Sequence, residues 1–124
     1  MILEFCAVAL GGALGSVLRA VMMLQISTLL KPNFPVALLV INWLGCLLIG
    51  LFAGFMVRGH WSAVARAFWV IGLCGGFTTF SSFSYESLNL IMNGEFWRAL
   101  INIVFNAAAC IGMCYVGMQM ARML

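Results

Sequence analysis

The chain has 124 residues, 65% of them hydrophobic and only 7% charged. An ordinary soluble domain is about 25% charged, and six basic side chains, three acidic ones and one histidine cannot coat a protein of this size. Most of the surface must therefore face lipid. A net charge of +3 with no basic run and no acidic tail also excludes nucleic-acid binding, and the length allows one domain at most, residues 1–124.

The first apolar segment covers about residues 2–24. It lacks the basic start of a cleavable signal peptide, with Glu4 where Lys or Arg would be expected. GGALG at 11–15 suits close helix packing, which in lipid depends on small residues. Arg19 closes this span. It either snorkels to the interface or forms a positive vestibule that raises the local anion concentration.

The second segment covers about 35–57, after a loop at 25–34. It carries the small-residue row Gly45–Ile49–Gly50–Ala53–Gly54 and one buried amide candidate, Asn42. After a short loop at 58–61, in which His60 reads as an interfacial histidine rather than a proton relay, the third segment covers about 62–92. A membrane-spanning helix needs about 20 apolar residues, so this one is too long for a plain span.

The third segment also contains CGGFTT at 74–79, poor material for a helix interior. We expect the helix to break at 75–79 into two half-helices. Free backbone groups in hydrocarbon cost several kcal/mol each, so such a break is either a glycine-hinged kink buried in protein or an ion site of the kind transport proteins build at the bilayer midplane. The fourth segment covers about 96–121, after a loop at 93–95.

Polar residues inside spans are costly and usually functional. Here they are Asn42, then Ser81, Ser82, Ser84 and Glu86, then Asn102 and Asn106. Each asparagine either hydrogen-bonds a neighbouring helix or lines a path. Phe80 and Phe83 follow the break three residues apart, on one face of a half-helix. They either pack in lipid or turn their positive ring edges to a small hard anion, and Ser81 and Ser84 are candidates for the same path. Conduction favours such weak ligands over a charged one that holds the ion too long.

The cysteines, Cys6, Cys46, Cys74, Cys110 and Cys114, all lie in apolar stretches and read as packing residues. Cys110 and Cys114 are one turn apart, but no second pair completes the roughly four ligands of a zinc site. The three acids, Glu4, Glu86 and Glu95, form no paired-carboxylate or triad arrangement, so the chain is not expected to be an enzyme.

With four spans, Arg58, Arg66 and Arg122 fall on one side and Arg19, Lys31 and Arg98 on the other. The positive-inside rule is balanced. The chain is therefore expected to insert in both orientations and to pair as an antiparallel homodimer. At a two-fold axis, two broken segments would meet and their free carbonyls would surround one monovalent cation.

Three motifs then resemble the CrcB/Fluc family of fluoride channels: GGALGSVLR at 11–19, INWLGCLLIG at 41–50 and, most specifically, GLCGGFTTFSSFS at 72–84. The resemblance implies an all-α membrane protein in the bacterial inner membrane. It implies a dual-topology homodimer with two pores that passively exports fluoride and protects the cell from it. It implies anion-facing rings at Phe80 and Phe83, a pore asparagine at Asn42, a vestibule arginine at Arg19 and pore-lining polarity from Asn106. It also implies a structural sodium held by the backbone carbonyls of Gly75 and Thr78 from both subunits. Cys110 and Cys114 depart from the family's hydroxyl residues in the fourth helix, and a thiol is a weaker donor. A proton-coupled small multidrug transporter also has four spans, but it wants a carboxylate deep in the first helix, where this chain has only Glu4. A structural membrane subunit would leave the break and the aromatic pair without a purpose.

Overall fold

The computed structural model describes residues 1–30 and 34–124. Lys31, one of the six charges in the orientation balance, lies outside the described residues. Four stretches are long and apolar enough to cross a membrane: Ile2–Leu30, Val36–Arg58, Ala63–Met92 and Phe96–Met123. The chain is a multi-pass, all-helical membrane protein.

Helix α1 is Ile2–Leu30 and α2 is Val36–Arg58. The third span divides. Its first half, α3, occupies residues 63–77, and its second half, α4, is Phe80–Met92. Helix α5 is Phe96–Met123.

Two tight seams organise these helices, and both are built on glycine. Helix α1 packs on α3, and α2 packs on α5. In the first seam, a β-carbon on Gly11 would strike the carbonyl of Phe68, one on Gly15 the carbonyl of Leu73, and one on Gly76 the carbonyl of Gly12. In the second, Gly50 lies against the backbone of Cys114, Gly117 against that of Leu47, and Gly54 against Ala121. Lipid gives helices no hydrophobic reason to associate, so close backbone approach and dispersion must do it. The glycines read from the sequence as packing residues serve that purpose.

The ends are fixed by ordinary chemistry. Ser62 caps α3, its hydroxyl accepting from the Ala65 amide at 3.1 Å. At the far end of α4, Gly94 takes φ +77°, and the amides of Gly94 and Glu95 donate back to Ile91 and Leu90. This is the paired closure that a left-handed glycine permits. The Arg58 guanidinium donates to the Ala121 carbonyl at 2.6 Å, tying the end of α2 to the negative end of α5.

Three expectations change in detail. Helix α1 continues to Leu30 instead of ending near residue 24, so most of the expected 25–34 loop is helical, and Arg19 lies well inside α1 instead of closing it. Met22, Met23, Leu24, Ile26, Leu29 and Leu30 are adequate helix formers, and nothing before Pro32 stops them. Next, the break is confined to Thr78 and Thr79, because Gly75–Phe77 still completes a helical turn. Finally, Ala67–Cys74 winds as a wide π-helix. This stretch, AFWVIGLC, is apolar on every side and carries no periodic signal for the winding. Its Gly72 instead meets the backbone of Val8, Gly11 and Gly12.

Candidate functional site

The break is made by two side chains that divert two backbone donors. In an unbroken helix the Thr79 amide would donate to the Gly75 carbonyl and the Ser82 amide to the Thr78 carbonyl. Here the Thr79 amide donates instead to Asn42 Oδ1 at 3.0 Å. The Ser82 amide donates to Thr79 Oγ1 at 3.2 Å, so Thr79 is the N-cap of α4. Asn42 completes the exchange by donating through Nδ2 to the Thr79 carbonyl at 3.3 Å. One carboxamide thus pairs with both backbone groups of an extended residue, as a neighbouring peptide would. This is how a break survives at this depth, since each orphaned group would cost roughly 1–3 kcal/mol.

The diversion frees the carbonyls of Gly75 and Thr78 from their helical donors. Thr78 is extended (φ −80°, ψ 157°), and its hydroxyl turns back to Cys74 O at 2.9 Å. Gly45 on α2 makes room for it, because a β-carbon there would meet the Thr78 methyl. Gly75 is exposed, with nothing within 4 Å of the place a β-carbon would occupy. The neighbouring Gly76 carbonyl accepts from Ser16 at 3.5 Å.

Beside the break lies an open groove of about 290 Å³ between α2, α4 and α5, walled by Asn42, Cys46, Phe80, Phe83, Asn106 and Cys110 among others. Four sequence-derived candidates therefore converge. The rings of Phe80 and Phe83 have centroids 5.4 Å apart and planes inclined at 53°. Phe80 is 78% exposed, held by its helix and left uncovered. Asn42 is 7% exposed. Its carbonyl and one N–H are committed to Thr79, and a carboxamide nitrogen has two hydrogens, so one N–H remains for the groove. Asn106, 4% exposed, accepts from the Cys110 thiol at 3.3 Å. The weak thiol donor at this position is thus already engaged.

The remaining candidates lie elsewhere. Ser81 and Ser84 do not line the groove. Ser81 contacts Thr79 Oγ1 at 3.2 Å, and Ser84 donates to the Phe80 carbonyl at 2.9 Å. Arg19 is half-buried on α1, away from it. Glu86 and Ser82 line a second groove, of about 370 Å³, with Ser27 and residues 34–38. Asn102 makes the interhelical bond that was one of its two readings, donating to Ser87 Oγ at 2.9 Å. It is 1% exposed and its Oδ1 has no partner among the described residues. Cys114 contributes its backbone to the Gly50 contact.

Thr79 is the residue the sequence reading undervalued. Its signal was present, since a threonine directly before a helical run is a strong N-cap candidate. Within CGGFTT the same threonine also counts as a poor helix former, which hides the cap. Among the described residues no three His, Cys, Asp or Glu side chains converge on a metal.

The comparisons agree with the motifs. The family model described as CrcB-like protein, Camphor Resistance (CrcB), matches residues 6–118. The chain is 44% identical over 119 residues to a protein of Nitrobacter hamburgensis named fluoride-specific ion channel FluC 1, covering 95% of this chain and 94% of that one. It is 40% identical over 113 residues to the fluoride-specific ion channel FluC of Shewanella halifaxensis, covering 91% of each. With the protein of the same name from Flavobacterium psychrophilum it shares 39% over 118 residues, covering 94% of this chain and 95% of that one. These relatives are named as channels, not as enzymes.

Proposed function

Because the chain belongs to the CrcB family, we propose that it is a fluoride-selective channel that passively exports fluoride across the bacterial inner membrane and protects the cell from it. The observation that carries this reading is the groove in which Phe80, Phe83, Asn42 and Asn106 meet beside a helix break. A proton-coupled pump would need a carboxylate there, and none lines the groove among the described residues.

A small anion leaving water needs its lost hydration replaced by partial positive charge. The groove supplies the spare N–H of Asn42 and the ring edges of Phe80 and Phe83, which carry the positive end of the aromatic quadrupole. The amide of Asn106 adds a second polar group. None of these is a full charge, so the ion is held and released. Arg19 acts from outside as the vestibule charge that enriches anions. Ser81 and Ser84 join the path only where another protomer covers α4.

The functional unit is an antiparallel homodimer of dual topology, with one pore along each side of the interface. Three features support this: the balanced arginines and lysine, the exposed ring of Phe80, and the open surface around Gly75. The carbonyls of Gly75 and Thr78, deprived of their helical donors, fit a hard monovalent cation, and broken helices offer cations such oxygens. A structural sodium at the two-fold axis, bound by these carbonyls from both protomers, would supply the positive charge that holds two electronegative breaks together.

The test is efflux from liposomes loaded with fluoride and chloride. The pure protein is expected to release fluoride and retain chloride. The double variant Phe80→Ile with Phe83→Ile is expected to abolish release while still running as a dimer. Undiminished flux in that variant would refute the pore assignment. Replacing all sodium by a bulky organic cation should loosen the dimer, and a dimer indifferent to that exchange would remove the sodium.

A further inference from the structure

The groove holds two thiols to which the conduction reading gives no part. Cys46 on α2 and Cys110 on α5 both wall it, each one helical turn before the residues, Gly50 and Cys114, at which the two helices touch. The two helices that carry them are locked backbone to backbone a few residues away, at Gly50 and Gly117. That packing fixes the backbone positions of the two cysteines relative to one another. Cys110 is further oriented by its bond to Asn106.

Two thiols are too few for zinc, which takes about four ligands, and no third donor converges among the described residues. They suffice for a soft ion that accepts two-coordinate sulfur, and thiolate sulfur selects such ions. We propose that Cys46 and Cys110 form a two-sulfur site for a soft monovalent cation, silver(I) or copper(I), and that the bound ion closes the groove.

A monovalent ion is neutralised by the loss of a single proton. One thiol gives its proton to water as its sulfur bonds the metal, and the other donates a sulfur lone pair while keeping its proton. The complex is neutral and one proton is released per ion. Two thiolates on one monovalent ion would leave a net negative charge in a largely apolar wall at high cost, and a divalent ion would need both thiols to give up their protons. The bound cation would sit beside Asn106 and the aromatic pair, where an anion must pass. Only the block rests on the channel reading, and the binding does not.

The experiment uses the full-length protein and silver nitrate in chloride-free buffer. Native mass spectrometry counts tightly held silver, a pH indicator counts released protons, and a fluoride electrode follows liposome efflux. Wild type and the control Cys6→Ala should each hold one tight silver per protomer, release one proton per silver and lose efflux at equimolar silver. Cys46→Ala and Cys110→Ala should each bind silver at least about tenfold more weakly, since the second sulfur no longer acts at high effective concentration. Both should conduct in its presence. Cys46→Ser and Cys110→Ser preserve side-chain size and should behave alike, which guards against an alanine variant that misfolds. Tight silver retained by both single variants would overturn the site. Silver bound at the pair without loss of efflux would overturn the block. A wild type that passes no fluoride at all would overturn the channel reading while the silver count still decides the site.

Discussion

The two halves of the third span live in opposite surroundings. Helix α3 is pressed into α1 so closely that Gly11, Gly15 and Gly76 have no room for a methyl group. Helix α4 begins with a phenylalanine almost wholly uncovered and leans chiefly on α5. The first half is covered by the rest of its own chain, and the second is not. The contrast locates the work of the molecule: contacts within the chain hold the break still, and the surface beyond the break is left open.

The largest expected effect attacks the covered half. Gly11→Val would drive a branched side chain into the Phe68 carbonyl and the Leu73 amide, where backbone cannot yield cheaply. We expect a loss of about 3 kcal/mol or more, at the upper end for overpacking, read as failure to recover monodisperse protein from membranes. Gly112→Ala is the matched control, since nothing lies within 4 Å of its β-position, and it should purify as the wild type does.

At the boundary between the halves, Asn42→Ala strips both partners from Thr79. The expected loss is about 2 kcal/mol, measured by denaturant unfolding in detergent. A variant as stable as wild type would mean the clasp is dispensable. Thr79→Val keeps the shape but removes the cap, for about 1 kcal/mol, seen in the same titration. Smallest is Ser84→Ala in the uncovered half. Its hydroxyl only returns to its own helix at Phe80, so stability should move by less than about 0.5 kcal/mol. A larger drop would show that α4 depends on local bonds as α3 depends on packing.

Much of this was legible because lipid imposes severe rules. Four long apolar segments had to be helices, and CGGFTT could not continue one undisturbed. The pairing of Phe80 with Phe83 followed from helical spacing. What spacing could not reveal was which donor left which carbonyl. Asn42 lies thirty-seven positions before Thr79, and nothing local to either residue announces the match. The glycines were readable as packing residues, but their partners were not, because a glycine row does not say which backbone it meets. The extension of α1 to Leu30 was missed for a different reason. Hydropathy fades before helix propensity does, and the two limits were treated as one.

The wide winding at Ala67–Cys74 has a bearing on how such a chain tolerates change. A stretch bonded five residues apart stores slack that ordinary helix lacks. Deleting one residue there would let the coil tighten into the common form without opening a gap. Wider winding fits an extra residue into about the same total rotation, so the residues beyond it, up to the break, would keep close to their present azimuth. The stretch is a place where the span can change length while its two ends keep their facing.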